Sequence, residues 1–313
     1  MKCKICHYAH TNKSGYQLNN SGDMKPSVFH KLIDEIEGKP LVAITGGEPL
    51  LNSDVASFIA YTRKKGMISS LTTNGWLLAD RAKELCDAGL DLLVLSVDGP
   101  KDIHNEIRGK YSFERLVAGL DLIFEHPKKP ILFISMAISD KNFDKLIPTY
   151  ELAKSWNVDG INFNHLWIQT EKMAHKLRAL DLPISADHLA LDIDRDRIDT
   201  EVLADQLESI RKQSWGGTIV VAESPYLNRE EITAWYQEPE RPVKYNTIRC
   251  GWIHMNIWPN GKVKPCRDWV AGDITKQNPM EIWNHKAFTE FRKTLAKTGM
   301  LPICTRCCLV ARR

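Results

Sequence analysis

Paired thiols are the residues in this chain best placed to do chemistry, and they fall in two groups. Of eight cysteines, Cys3 and Cys6 open the sequence, and Cys250, Cys266, Cys304, Cys307 and Cys308 lie near its end. Cys86 stands alone beside Leu85 in a helix-like stretch and reads as an inert core residue. Cys3-x2-Cys6 admits three readings: half of a zinc site, a redox dithiol, or part of an iron–sulfur loop. His7 and His10 are near enough to be ligands, although an exposed or hydrogen-bonded histidine is the simpler reading. At the other end, Cys250 and Cys266 bracket a hairpin signal, and Cys304-x2-Cys307 returns after a helix. Four thiolates arranged as two clamps suit zinc and an iron–sulfur cluster equally well.

Composition narrows the classes. The chain has 313 residues, 43% hydrophobic and 26% charged, enough to bury a sizeable core. A net charge of +3 from 42 basic and 39 acidic residues is too balanced to argue for nucleic acid or an anionic membrane. The N-terminus has no apolar signal region, and no window approaches the roughly 18 apolar residues of a membrane span. A cysteine-poor middle excludes a disulfide scaffold and points to reducing cytosol.

These thiols need elements to position them. From about residue 40 to 166, apolar runs alternate with helix-like stretches. Strands are expected at 41–45, 67–72, 92–97, 131–138 and 161–168. Helices are expected at 55–65, 78–88 (stopped by Gly89), 113–125 and 144–156. Apolar strands separated by helices indicate a parallel sheet covered by helices. The polar turns TGGEP, TTNG and SVDGP follow the first three strands, and sites in parallel α/β folds form at the carboxyl ends of strands. Residues 187–213 read as a charged helix, 218–221 as a short strand and 229–236 as a short helix. DIDRDRID (192–199) fails the calcium-loop pattern, with Arg197 at its glycine position and Leu203 at its glutamate position. Asn260-Gly261 joins strands at 253–258 and 262–264, and a helix is expected over 280–297.

In this order, Cys3-x2-Cys6, Thr45-Gly46-Gly47-Glu48-Pro49, Thr73-Asn74-Gly75 and Ser96-Val97-Asp98-Gly99-Pro100 resemble the radical SAM superfamily. Ile103–Gly109 (IHNEIRG) is similar to SPASM-type members. The ending, Cys250-x10-Gly261-x4-Cys266 with Cys304-x2-Cys307, resembles the twitch form of the SPASM extension. The resemblance implies a partial (β/α)6 TIM barrel over 1–170, a linker over 171–249 and a small cysteine-rich domain over 250–313. It implies S-adenosylmethionine, a [4Fe-4S] cluster with Cys3 and Cys6 among its ligands, and an auxiliary [4Fe-4S] cluster on Cys250, Cys266, Cys304 and Cys307. Gly46, Gly47, Glu48 and Pro49 would meet the methionyl ammonium. Asn74, Ser96 and Asp98 would line the same pocket, Ser96 and Asp98 toward the ribose or methionyl group. Arg108 would pair with the methionyl carboxylate. Ser135 and Met136 would face the adenosyl group, with Asn142 near the ribose. The family's triad wants one more cysteine, four residues before Cys3, and a strand before it. The expectation is that both lie upstream; the alternative is a variant without full cluster ligation.

The implied function is an oxidoreductase that takes a hydrogen atom from a small polar molecule through a 5′-deoxyadenosyl radical. Cys308 would return a hydrogen atom if the reaction is an epimerisation, or else is packed or an alternate ligand. A peptide-modifying maturase and a non-catalytic iron–sulfur or zinc-binding relative are the other readings. Asn162 and Asn164 alternate with Phe163 and His165, so a polar strand face is expected toward the substrate. A flavodoxin or ferredoxin would donate electrons, and neither nucleic acid nor membrane is an expected partner.

Overall fold

A computed structural model describes residues 3–5, 22–184, 194–243, 246–266, 269–307 and 310–312. Cys6, His7, His10 and Cys308 lie outside the described residues. The chain forms two compact units. The first holds the described residues 3–5, 38–165 and 194–223; the second holds the rest. The expected linker, 171–249, is thereby divided between the two units.

Helix α1 (Pro26–Glu35) belongs to the second unit. The first unit then alternates β1 (Val42–Ile44), α2 (Val55–Lys64), β2 (Ser69–Thr73), α3 (Leu78–Ala88) and β3 (Leu92–Ser96). Two consecutive helices follow, α4 (Lys101–Arg108) and α5 (Ser112–Glu125), then β4 (Ile131–Ile138), α6 (Leu146–Ser155) and β5 (Gly160–His165). After α7 (Glu171–Arg178) of the second unit come α8 (Thr200–Ser214) and β6 (Val220–Ser224). The sheet order is β1-β2-β3-β4-β5-β6, and the first five strands pair in parallel. An order without reversal is that of a barrel wall, not of a doubly wound sheet.

Period-two patterning explains why the strands sit as they do. Leu93, Leu95, Leu132, Ile134, Met136, Ile138, Ile161 and Phe163 are fully buried on one face. Each such side chain contributes roughly 1.5–3 kcal/mol by leaving water. Val94, Ser96, Phe133, Ser135, Ala137, Asn162 and Asn164 alternate with them and are only half-buried. Helix α3 stops where expected, on Gly89 with φ 80°.

Several boundaries differ from expectation for identifiable reasons. The fifth strand ends at His165 because the next backbone groups pair elsewhere. Leu166 C=O accepts from Trp235 Nε1, and Ile168 N–H donates to Arg306 C=O. Helix α8 starts at Thr200, where the Asp199 carboxylate accepts from the Glu201 and Val202 N–H groups. Ahead of it, Arg195–Arg197 is a 3-10 turn, and 185–193 lie outside the described residues.

In the second unit, α9 (Arg229–Gln237) is started by a capping box between Asn228 and Glu231. There follow β7 (Asn246–Ile248), α10 (Cys250–Ile253), β8 (Asn256–Ile257), β9 (Lys262–Lys264) and β10 (Gly272–Asp273). The expected strand over 253–258 shrinks to β8 because its start is taken up by α10. The expected helix over 280–297 is two, α11 (Pro279–Asn284) and α12 (Lys286–Thr298), broken where His285 turns extended and caps α12. Strand β11 (Val310–Arg312) pairs antiparallel with β7, and β8, β9 and β10 form an antiparallel sheet. Leu32 of α1 joins Val263, Ala271, Ile274, Ile282 and Phe288 in one apolar core. Among the described residues, no helix is long and apolar enough to cross a membrane.

Candidate functional site

The carboxyl ends of β1 to β5 are stitched together by side chains. Glu48, in the loop after β1, spans to the end of β2. Its Oε1 accepts from Thr73 Oγ1 at 2.6 Å and Leu50 N–H at 3.0 Å, and its Oε2 accepts from Asn74 N–H at 2.8 Å. A carboxylate offers about four accepting positions, so these three bonds leave one for an ammonium. Gly46 has φ 143°, a conformation that favours glycine. Nothing lies within 4 Å of where a Cβ on Gly46 or Gly47 would sit. Open space beside a fixed carboxylate fits the methionyl ammonium expected there. Pro49 starts a single 3-10 turn, and Asn74 is a turn residue whose Oδ1 accepts from Trp76 N–H.

Asp98 is fully buried, with Oδ2 accepting from Arg108 Nε at 2.6 Å and Oδ1 from Ala137 N–H at 3.2 Å, so it orients Arg108. Asn142 is likewise enclosed. Its Nδ2 donates to Asp98 C=O and Ala137 C=O, and its Oδ1 accepts from the Ser139 N–H and hydroxyl. With both amide hydrogens committed, it latches the turn after β4 to the turn after β3. Met136 lies on the fully buried face, opposite Ser135, because neighbours in a strand point apart.

The half-buried face carries a polar row. Ser96 pairs across to Ser135, and Ser135 to Asn162. Asn164 Nδ2 donates to Ser135 Oγ at 2.8 Å, and Asn162 Nδ2 to Asn164 Oδ1 at 2.9 Å.

Helix α4 was not anticipated as a helix, yet it ties the first cysteine loop to this edge. Lys4 N–H, one residue after the half-buried Cys3, donates to Ile107 C=O at 2.9 Å. Arg108 is the next residue. From the same helix, His104 Nδ1 accepts from Asp98 N–H at 3.3 Å. Burial, aided by Arg108, lowers the His104 pKa to about 4. His165 is also lowered, to about 3, by burial and then by Arg211.

The four C-terminal thiols share one apolar cluster. Cys250 and Cys304 are buried among Ile248, Trp269, Phe291, Leu295, Leu301 and Ile303, with Cys266 and Cys307 packed against them. Burial raises the thiol pKa of Cys250 and, more strongly, of Cys304, where Cys266 and Cys250 add to the effect. Such thiols stay neutral until a metal displaces their protons. Among the described residues, no three His, Cys, Asp or Glu side chains are set to hold a single metal ion. Four cysteines gathered on one apolar cluster fit an iron–sulfur cluster, which cysteine thiolates hold. Cys86 is fully buried in α3, as expected.

Sequence reasoning missed Thr73, which fixes Glu48, and Arg306, which lies between Cys304 and Cys307 in the chain and is fully buried. A hydroxyl at a strand end and a cation inside a Cys-x2-Cys loop were the available signals.

Residues 1–153 match the model of the radical SAM superfamily, and residues 249–308 match that of SPASM, an iron–sulfur cluster-binding domain. An AdoMet-dependent heme synthase of Methanosarcina barkeri is 34% identical over 43% of this chain and 39% of its own. The matched stretch thus spans about two fifths of that relative's length. The tungsten-containing aldehyde ferredoxin oxidoreductase cofactor-modifying protein of Pyrococcus furiosus is 21% identical over 99% of this chain and 84% of its own. The structure of native anSMEcpe with bound AdoMet shares the fold, with a TM-score of 0.67 and 20% identity over 97% of this chain and 84% of that one. Two family models, matched in chain order over the sheet unit and the cysteine-rich end, place this chain in the radical SAM superfamily, with a C-terminal SPASM domain.

Proposed function

We propose that the chain is a radical SAM oxidoreductase acting on a small polar molecule. Cys3 and Cys6 would ligate the first [4Fe-4S] cluster, and Cys250, Cys266, Cys304 and Cys307 the auxiliary one. When bound, S-adenosylmethionine and the two clusters would supply radical hydrogen-atom abstraction and one-electron redox chemistry.

The chain's own residues bind and orient. Glu48, held by Thr73 and Asn74, presents a fixed negative charge to the methionyl ammonium. Asp98 holds Arg108 for the carboxylate. Gly46 and Gly47 let the backbone approach.

The observation that carries the substrate reading is the cross-strand row Ser96, Ser135 and Asn162, joined by Asn164. Hydroxyls and amides on a half-buried sheet face suit substrate hydroxyls or amides. A relative named as a heme synthase and another named for modifying a cofactor support a small-molecule substrate. A ferredoxin or flavodoxin would supply the first electron, in the reducing cytosol that such clusters need.

The test is anaerobic reconstitution with iron and sulfide, then dithionite, S-adenosylmethionine and fractionated metabolites. A metabolite that speeds 5′-deoxyadenosine release and leaves two hydrogens lighter supports the reading. A product of unchanged mass in ordinary water that gains one deuterium in heavy water makes the chain an epimerase, with Cys308 the thiol to test. Stimulation by peptides alone sinks the small-molecule reading, and no cleavage of S-adenosylmethionine by protein extended to carry the third cysteine and loaded with its first cluster sinks the enzyme.

A further inference from the structure

We propose that Arg306 is a positioning residue for the auxiliary cluster, locking the Cys304–Cys307 loop to the end of α9. The inference rests on the assignment of that cluster to the four thiols. Arg306 lies between two of those thiols in the chain, yet its side chain is fully buried and turned to another element. Its Nε donates to Trp235 C=O at 2.8 Å, and its Nη2 to Ala234 C=O and Glu238 C=O, both at 2.7 Å. Its Nη1 donates to Thr305 C=O within the loop at 2.8 Å. The Thr305 hydroxyl shares its one hydrogen between Pro302 C=O at 3.0 Å and Pro239 C=O at 3.2 Å, so it lies against the same stretch of chain.

The chemistry is specific to arginine. The carbonyls at the end of a helix carry partial negative charge and so favour a cation, and Ala234 C=O and Glu238 C=O take the guanidinium on a second lone pair beside the N–H groups of Glu238 and Arg241. Four carbonyls spread around one plane suit a guanidinium fork, whereas an ammonium concentrates three donors at one point. The guanidinium also stands 5.0 Å from the Trp235 ring centroid. Trp235 Nε1 in turn donates to Leu166 C=O, and Arg306 C=O accepts from Ile168 N–H. The loop is thereby clamped between α9 and the 166–168 segment. The Cys250 arm is secured in a similar way, by Arg292 Nε donating to Gly251 C=O at 2.7 Å. Thiolate ligands must be held within a narrow range of positions, and groups that orient metal ligands alter affinity about 10- to 100-fold when removed.

The experiment uses the full chain with Cys3→Ala and Cys6→Ala, so that reconstituted iron reports the auxiliary cluster. Into this parent go Arg306→Gln, Arg306→Lys and, as a stability control, Ile274→Ala in the other apolar core of the unit. Readouts are iron per chain, resistance of the cluster to a chelator, the EPR spectrum and midpoint potential of the reduced cluster, and thermal midpoint. The parent should hold about four irons. Arg306→Gln should lose iron to chelator at least about 10-fold faster and show an altered EPR spectrum and potential, with partial recovery in Arg306→Lys. Ile274→Ala should lower the thermal midpoint while keeping the parent's cluster. The inference is overturned if Arg306→Gln keeps the parent's cluster unchanged, or if Ile274→Ala loses the cluster equally. A parent that binds no iron overturns the cluster assignment, and the inference with it.

Discussion

The Glu48 carboxylate accepts a 2.6 Å hydrogen bond from the Thr73 hydroxyl, joining the loop after β1 to the end of β2. Thr73 also accepts from Gly75 N–H, so one hydroxyl serves both turns. Glu48→Gln places an amide NH2 where one of two oxygens accepts from the chain. The expected cost is roughly 1–3 kcal/mol in urea unfolding. Affinity for S-adenosylmethionine, measured by calorimetry, should fall as well, because the fixed negative charge is gone. Unchanged affinity would remove Glu48 from the ammonium site.

Asp98 and Arg108 form a buried pair, with Asp98 fully enclosed and Arg108 12% exposed. Removing one partner takes this ion pair away from the other's buried charge. Asp98→Ala should cost about 3–5 kcal/mol in chemical unfolding. Arg108→Ala should cost a comparable amount, and the double substitution less than the two together. Simple additivity would show that the pair is not coupled.

Stability should fall as pH drops from 6.5 toward 4. His104 and His165 have ordinary values near 6.5 and folded values of about 4 and about 3. In that window the unfolded chain binds protons that the folded chain refuses, so unfolding is favoured at about 1.4 kcal/mol per pH unit for each histidine. Asp273 and Glu114, held near 2 chiefly by hydrogen bonds from Thr275 and Asn105 respectively, add their loss only at lower pH. Urea unfolding at pH 7, 6 and 5 checks the slope, and His104→Gln should remove about one histidine's share. A flat profile between pH 6 and 5 would contradict the neutral, buried assignment of both rings.

Much of the frame was legible because its signals are local. Period-two apolar runs place β2 to β5 within two or three residues, and Gly89 stops α3 as expected. Radical SAM motifs could be read in the loops because glycines and a carboxylate at strand ends have few other uses. What escaped depends on partners far along the chain. Asp98 reads as a ligand, and only the fold shows that Arg108 and the Ala137 N–H each bond one of its oxygens. The strand through INFNHLW reads as running to Ile168, whereas Trp235 and Arg306 take its backbone after His165. Helix α4 is too short, and too polar at His104 and Asn105, to declare itself by periodicity.

Gly46 and Gly47 separate folding from cofactor binding. Gly46 has φ 143°, so Gly46→Ala is strained whatever space surrounds it and should cost roughly 1–3 kcal/mol. Gly47 does not share that conformation, and a Cβ there would meet no atom within 4 Å. Gly47→Ala should therefore leave stability within about 0.5 kcal/mol of the parent. If the open space beside Gly47 is where the methionyl group comes close to the backbone, the same methyl must weaken S-adenosylmethionine binding about 10-fold or more. Calorimetry on both variants, beside urea unfolding, decides the point. A Gly47→Ala protein with full affinity would show that the loop approaches its ligand through Glu48 alone.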